Sequence, residues 1–157
     1  MATGPTVTTF MEIAMSETQV ANGRCLCGSV RVVAAEMQRE LGACHCEMCR
    51  KWAGGPLMCV PCQANVEFEG EEHIGIYSSS PWAERGFCKK CGSGLFYRLK
   101  ENRHHMLPVG LFDDCEKIAF KMQFYIDKKP AYYSFLNETD TMTEAEVFAK
   151  FGPSSDS

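Results

Sequence analysis

The stretch Phe87-Cys88-Lys89-Lys90-Cys91-Gly92 is where the chain first becomes readable. Two cysteines spaced by two residues and followed by glycine form a zinc knuckle, a tight turn that aims both thiolates at one ion. A knuckle supplies only two of the four ligands a structural zinc requires, so another pair is needed. Cys25-Leu26-Cys27-Gly28 offers one. Side chains alternate in extended chain, so both sulfurs of a CxC pair face the same way. The two pairs can close a shell of four sulfurs. Zinc held in this manner contributes folding free energy outright, on the order of 10 kcal/mol in small metallo-domains.

Between these pairs lies Cys44-His45-Cys46-Glu47-Met48-Cys49, with three sulfurs inside six residues. Three protein ligands and an open position are the pattern of a catalytic zinc; four mark a structural one. His45 is an alternative fourth ligand, but it sits between the cysteines of a CxC, so extended chain turns its ring to the opposite face. A place behind the ligands, supporting them, or at the surface suits it better. Cys59-Val60-Pro61-Cys62 is a rival CxxC that could pair with Cys88 and Cys91 as a long zinc ribbon. Against that, Met58, Cys59 and Val60 form an apolar run in which a free cysteine behaves as a small buried hydrophobe. Cys115 reads as an ordinary thiol.

Ten cysteines in 157 residues mean either a disulfide scaffold or thiols kept for metal and reaction. The compartment separates the two. The first charge is Glu12, and polar residues break every apolar stretch before Val20, so no secretory signal is visible. No run of about 18 apolar residues exists to cross a membrane. The chain reads as a reduced, soluble, cytoplasmic protein with no membrane partner. Its net charge of −4 and pI of about 5.6 argue against nucleic acid, whose binders carry a basic field. The 45% hydrophobic content excludes a disordered chain.

The length predicts one domain. Residues 1–21 contain no Lys or Arg and no sustained period, and read as a loose extension. Gly152-Pro153 closes the domain, leaving 153–157 as a tail and 22–152 as the folded unit. Ser29–Ala34 alternates and is β-branched, as a half-buried strand should be. Further short strands are predicted over Leu57–Val60, Val66–Phe68, Ile74–Tyr77, Gly94–Leu99, Met106–Leu111 and Phe120–Ile126. Proline and glycine punctuate them, which suggests a sandwich or an open, barrel-like β fold. Thr143 followed by Glu146 makes a capping box, so a helix is predicted from there to Phe151, with Gly152 as its stop. A shorter helical turn follows Cys46, through Trp52.

The order Gly23-Arg-Cys25-Leu-Cys27-Gly28-Ser-Val, then Cys44-His-Cys46-Glu-Met-Cys49-Arg-Lys, then Phe87-Cys88-Lys-Lys-Cys91-Gly92-Ser-Gly-Leu-Phe96 resembles the glutathione-dependent formaldehyde-activating enzyme family, also called the centromere protein V/Gfa domain. Asp127-Lys-Lys-Pro130-Ala-Tyr-Tyr133 resembles a late motif of the same family. The resemblance implies an Mss4-like fold, antiparallel sheets around a zinc knuckle. It implies two zinc ions: a structural one on Cys25, Cys27, Cys88 and Cys91, and a catalytic one on Cys44, Cys46 and Cys49. It also implies a carbon–sulfur lyase of the S-(hydroxymethyl)glutathione synthase type, joining glutathione, or another small thiol, to formaldehyde or another small aldehyde.

Other residues are weighed on chemistry alone. Arg50 and Lys51, just after the second cluster, are candidates for binding the carboxylates of glutathione. Trp52 and Trp82 suit core packing, and Phe87 and Phe96 a cover for the structural zinc. His104-His105 reads as a loop, and Glu67, Glu69, Glu71 and Glu72 as a solvated face. Tyr132 and Tyr133 fit a pocket or packing equally. No P-loop, GxGxxG or Ser–His–Asp pattern is present. The alternative to an enzyme is a zinc-stabilised protein-interaction module, since fold alone does not fix function. An incomplete ligand shell favours the enzyme.

Overall fold

A computed structural model describes residues 18–113 and 117–152. Eleven strands form two sheets among these residues. Strands β1 (Thr18–Arg24), β2 (Arg31–Gln38) and β5 (Val66–Glu69) make the smaller sheet in the order β1-β2-β5. The larger contains β3 (Glu40–Cys44), β4 (Leu57–Gln63), β6 (Ile74–Tyr77), β7 (Ala83–Cys88), β8 (Gly94–Leu99), β9 (His105–Pro108), β10 (Ala119–Phe124) and β11 (Asp140–Met142). Its order is β11-β10-β3-β4-β9-β8-β7-β6. Helix α1 (Glu47–Ala53) joins β3 to β4, and α2 (Glu144–Phe151) ends the described chain.

The mainly β fold agrees with the alternation and turn signals, but two details differ. Not every strand pair is antiparallel, because β10 runs parallel to both β3 and β11. Parallel partners require a crossover rather than a hairpin, and β3 and β10 lie far apart in sequence. The sheet also reaches into the segment read as an extension. Thr18–Ala21 belongs to β1 and pairs with β2, Thr18 opposite Gln38 and Ala21 opposite Ala34. Its alternation is too weak to reveal a strand without that partner. Residues 1–17, Cys115 and the tail 153–157 lie outside the described residues.

Burial follows the period of the strands. Val32 and Ala34 of β2 point inward, to meet Val60 of β4, Leu95 and Phe96 of β8 and Leu107 of β9; Met37 breaks the period and joins them past a register shift opposite Gln19 and Ala21. Glu67 and Glu69 face solvent along β5, as their solvated reading required. His105 is no loop residue. It opens β9, is 3% exposed and packs among Phe68 and Phe96, while His104 faces water.

Close packing of the sheet sets one clear limit. A Cβ added to Gly86 of β7 would lie 2.3 Å from the Phe96 ring, itself 1% exposed. A ring so enclosed has nowhere to move, and overpacking of this kind costs about 1–3 kcal/mol. Gly86→Ala should therefore lower the melting temperature by several degrees, as read by circular dichroism. An unchanged melting point would show that the sheet can relax around the ring.

Candidate metal centres

Two hairpin turns carry the first cysteine group. Cys25 and Cys27 lie in the turn from β1 to β2; Cys88 ends β7, and Cys91 lies in the turn to β8. Each turn closes on its glycine. The Gly28 N–H donates to the Cys25 carbonyl at 3.1 Å and the Gly92 N–H to the Cys88 carbonyl at 2.8 Å. Both glycines have φ near +79°, at 78° and 79°, a conformation in which a side chain is strained. The Leu26 N–H also donates to Ser93 Oγ at 3.0 Å, tying one turn to the other.

The four sulfurs lie within 4.8 Å of one another. Cys25 and Cys27 Sγ are 3.6 Å apart, and Cys27 and Cys88 Sγ 3.8 Å. Zinc–sulfur bonds of 2.3 Å in a tetrahedron place sulfurs about 3.8 Å apart, so the donor set fits zinc. The Ser93 and Ser29 hydroxyls hold the Cys91 and Cys27 thiols below their ordinary range, Cys91 at about 5. Burial pushes Cys88 up. This group connects the small sheet to the large one, and Cys25 and Cys88 are part of the main core.

The second group forms where β3 leaves the sheet. Cys44 ends β3, Cys46 caps α1 and Cys49 lies one turn inside it. The Cys46 sulfur accepts the Cys49 N–H at 3.4 Å. All three sulfurs fall within 4.8 Å of one another, and among the described residues no fourth Cys, His, Asp or Glu joins them. Three sulfurs so close share negative charge unevenly. Hydrogen bonds from the Cys44 and Cys49 thiols, and the Cys49 N–H, hold Cys46 well below the usual thiol range, while Cys46 pushes Cys44 up. Cys49 is drawn down by Cys44 but raised further by Cys46 and burial. A divalent cation would relieve this frustration, so these donors also suit zinc.

His45 is fully buried and faces away from the sulfurs. Its Nε2 lies 2.8 Å from Gln123 Oε1, an atom that only accepts, so Nε2 carries the proton. Nδ1 then accepts from the Tyr133 hydroxyl at 2.7 Å. Burial keeps its pKa below the ordinary imidazole value. Gln123 in turn donates to Thr139 Oγ1 at 3.0 Å, and the His45 N–H to the Phe124 carbonyl at 3.0 Å. The ring is apart from the three sulfurs, as alternation predicts, and it lies in a buried network and not at the surface. This network pins the three-cysteine loop to β10.

Arg50 and Lys51 diverge. Arg50 spends its Nε on the His45 carbonyl at 2.9 Å, while Lys51 pairs with Glu47 at 2.8 Å on the exposed side of α1. Trp52 packs half-buried against Cys49, Leu57 and Cys59, but Trp82 is 41% exposed and is no core residue. Phe96 shares the core with Cys25 and Cys88; Phe87 lies over Gly75. The rival ribbon does not form. Residues three apart on a strand face opposite ways, so Cys59 packs with the second cysteine group and Cys62 with the main core. Burial pushes Cys62 up to about 12 and Cys59 higher still, which keeps both as thiols. All nine described cysteines are free of disulfides. Sequence reasoning missed Arg85, whose Nη2 lies 3.6 Å from Cys49 Sγ.

Comparison with known proteins gives the chain a family. The family model for the glutathione-dependent formaldehyde-activating enzyme matches residues 20–128. The chain belongs to this family. An uncharacterized lyase of Schizosaccharomyces pombe is 37% identical over 126 residues, covering 80% of this chain and 92% of its own length. A Halomonas elongata protein, provisionally named a glutathione-dependent formaldehyde-activating enzyme, is 34% identical over 84 residues, 47% of this chain and 53% of that protein. A crystal structure of a Rhodobacter sphaeroides protein matches with a TM-score of 0.51 at 20% identity, over 59% of this chain and 87% of that one. That likeness supports the fold. Family and relatives together place this Gfa-family chain among enzymes of lyase type. No described helix is long and apolar enough to cross a membrane.

Proposed function

We propose that this Gfa-family enzyme forms or cleaves the adduct of a small thiol, glutathione foremost, with a small aldehyde such as formaldehyde, at a zinc ion held by Cys44, Cys46 and Cys49. The observation that supports it is the gathering of three sulfurs within 4.8 Å with no fourth described ligand, beside a second group that meets the needs of a structural ion by itself. Bound there, zinc would supply Lewis acidity toward a carbonyl oxygen and keep a sulfur deprotonated near neutral pH. In the forward direction the thiol sulfur bonds to the carbonyl carbon, the C=O π bond breaks and the thiol proton ends on oxygen. No electron is gained or lost overall, so no redox cofactor is required.

The chain's own residues have separable tasks. The buried His45–Tyr133–Gln123 network holds the loop that carries Cys44 and Cys46. Trp52 covers Cys49 and limits water. With Nε occupied by the His45 carbonyl, Arg50 has its terminal nitrogens for a substrate carboxylate. Lys51, already paired with Glu47, adds a weaker, screened attraction.

Metal analysis of protein purified without chelator should give two zinc ions per chain, one lost to a mild chelator before the other. Carbon-13 formaldehyde mixed with glutathione should then show adduct exchange accelerated by the two-zinc form. Metal-free protein in native mass spectrometry, or disulfides linking the clusters, would overturn the assignment.

A further inference from the structure

Arg85 is a buried cation with an unusual set of neighbours. It lies on β7, where register places it opposite Tyr97 of β8, which is opposite Met106 of β9. This cross-strand row leads to the wall formed by Leu57, Cys59 and Met106 around the three-cysteine group. The guanidinium stacks on Trp52 at 5.0 Å and Tyr97 at 5.2 Å from the ring centroids. The residue is 5% exposed, and among the described residues no ion pair links it to a carboxylate. Arg98 shows the contrast on the same sheet, since it takes Glu84 as its counter-ion at 2.6 Å.

A buried charge without a partner is costly. Arg85 touches the three-cysteine group directly at Cys49 Sγ, 3.6 Å from Nη2. Nη1 is buried without any hydrogen-bond partner, and an unsatisfied donor of this kind calls for an explanation. Electrostatics supplies one. Three thiolates around a divalent ion carry a net charge of −1, and an incoming thiolate would raise it to −2 in a half-dry site. One fixed guanidinium offsets that extra charge.

We infer that Arg85 is a specificity-determining residue of the three-cysteine site: its charge balances the thiolate shell, and its free Nη1–H is held for an anionic fourth ligand. This rests on reading the three cysteines as a metal site with an open position. The site should accordingly prefer a thiolate to a neutral donor of similar size. Stacking on Trp52 and Tyr97 keeps the guanidinium plane in place before any ligand arrives.

The test uses the full-length protein with cobalt(II) in place of zinc, titrated separately with 2-mercaptoethanol and with imidazole. Sulfur-to-cobalt charge-transfer absorbance reports the thiol and the ligand-field band reports either ligand. The four-cysteine site gives a constant background that also confirms folding. Loss of a hydrogen bond to a charged group predicts that Arg85→Met weakens 2-mercaptoethanol by at least about tenfold and imidazole by less than about threefold. Arg85→Lys, which keeps the charge, should stay within about threefold of the parent for both ligands. An unchanged thiol affinity in Arg85→Met, or an equal loss for both ligands, would overturn the inference. Should Arg85→Met not fold, the lysine variant decides, and a tenfold thiol-selective loss there counts against a charge-based role. A parent protein whose spectrum ignores thiol altogether would sink the metal-site reading itself, a separate result from failure of Arg85 alone.

Discussion

Cys88→Ser is expected to leave little folded protein, whereas Cys46→Ser should fold and keep one zinc ion. The difference follows from where each group sits. Cys88 is fully buried in the main core, and its three partners span the β1–β2 and β7–β8 turns. Removing it opens the shell that joins the two sheets, and metal affinity is here folding free energy. Cys46 caps a helix of seven residues in the connection from β3 to β4, where the His45 network also holds the loop. Serine is itself a favoured N-cap, so this substitution should cost the fold little, a shift of at most a few degrees in melting temperature. Thermal melts and zinc counts on both variants check this. If both variants unfold alike, well below the parent, the four-plus-three division of the cysteines is wrong.

Thiol binding should depend steeply on pH. A thiol that enters the three-cysteine site as thiolate leaves its proton behind, and a free thiol has a pKa of about 8.5. One proton is released per thiol bound below that value, so affinity rises with pH, by up to about tenfold per unit. Between about pH 8 and 6 the dissociation constant for glutathione should thus increase by close to about a hundredfold. At still lower pH the ligand sulfurs compete for protons as well, and binding collapses together with the metal. Calorimetry across this range in buffers of different ionisation enthalpy reports both the affinity and the proton count. Cys46→Ser should abolish the signal at every pH. A pH-independent affinity, or binding that survives in Cys46→Ser, would place the thiol elsewhere on the protein.

Much of the candidate site was legible because it is local. CxC and CxxC spacings are set by bond geometry and by strand alternation, so Cys25, Cys27, Cys88 and Cys91 and the trio Cys44, Cys46 and Cys49 separated into the two groups the fold assembles. The capping box at Thr143 and Glu146 marked α2 for the same reason, its hydroxyl accepting the Glu146 N–H at 3.3 Å. Strands with clear alternation were found, although the segment from Met106 to Leu111 ends as a strand at Pro108 and turns into a 3-10 helix over Val109–Leu111. Strands without it, such as β1, β3 and β7, went unseen. The sequences of β3 and β7, Glu-Leu-Gly-Ala-Cys and Ala-Glu-Arg-Gly-Phe-Cys, carry no period because both faces are partly covered; in β1 small Ala21 and Gly23 point inward while Val20 is exposed, so no hydrophobic period marks it.

By itself, then, the sequence determined the chemistry of the donors: seven thiols in two sets, a mainly β chain and the family to which it belongs. Only the tertiary structure decided what surrounds those thiols. The parallel pairing of β10 with β3 brings Gln123 to His45 across 78 residues, and the turn after it brings Tyr133 across 88. The pairing of β7 with β8 stacks Arg85 on Tyr97, and α1 sets Trp52 and Cys49 beside it. Metal-ligand spacing is a short-range property, carried by two or three bonds of rotation. Charge compensation and the buried orientation of a histidine depend on which strands lie side by side, and that is settled only when the sheet closes.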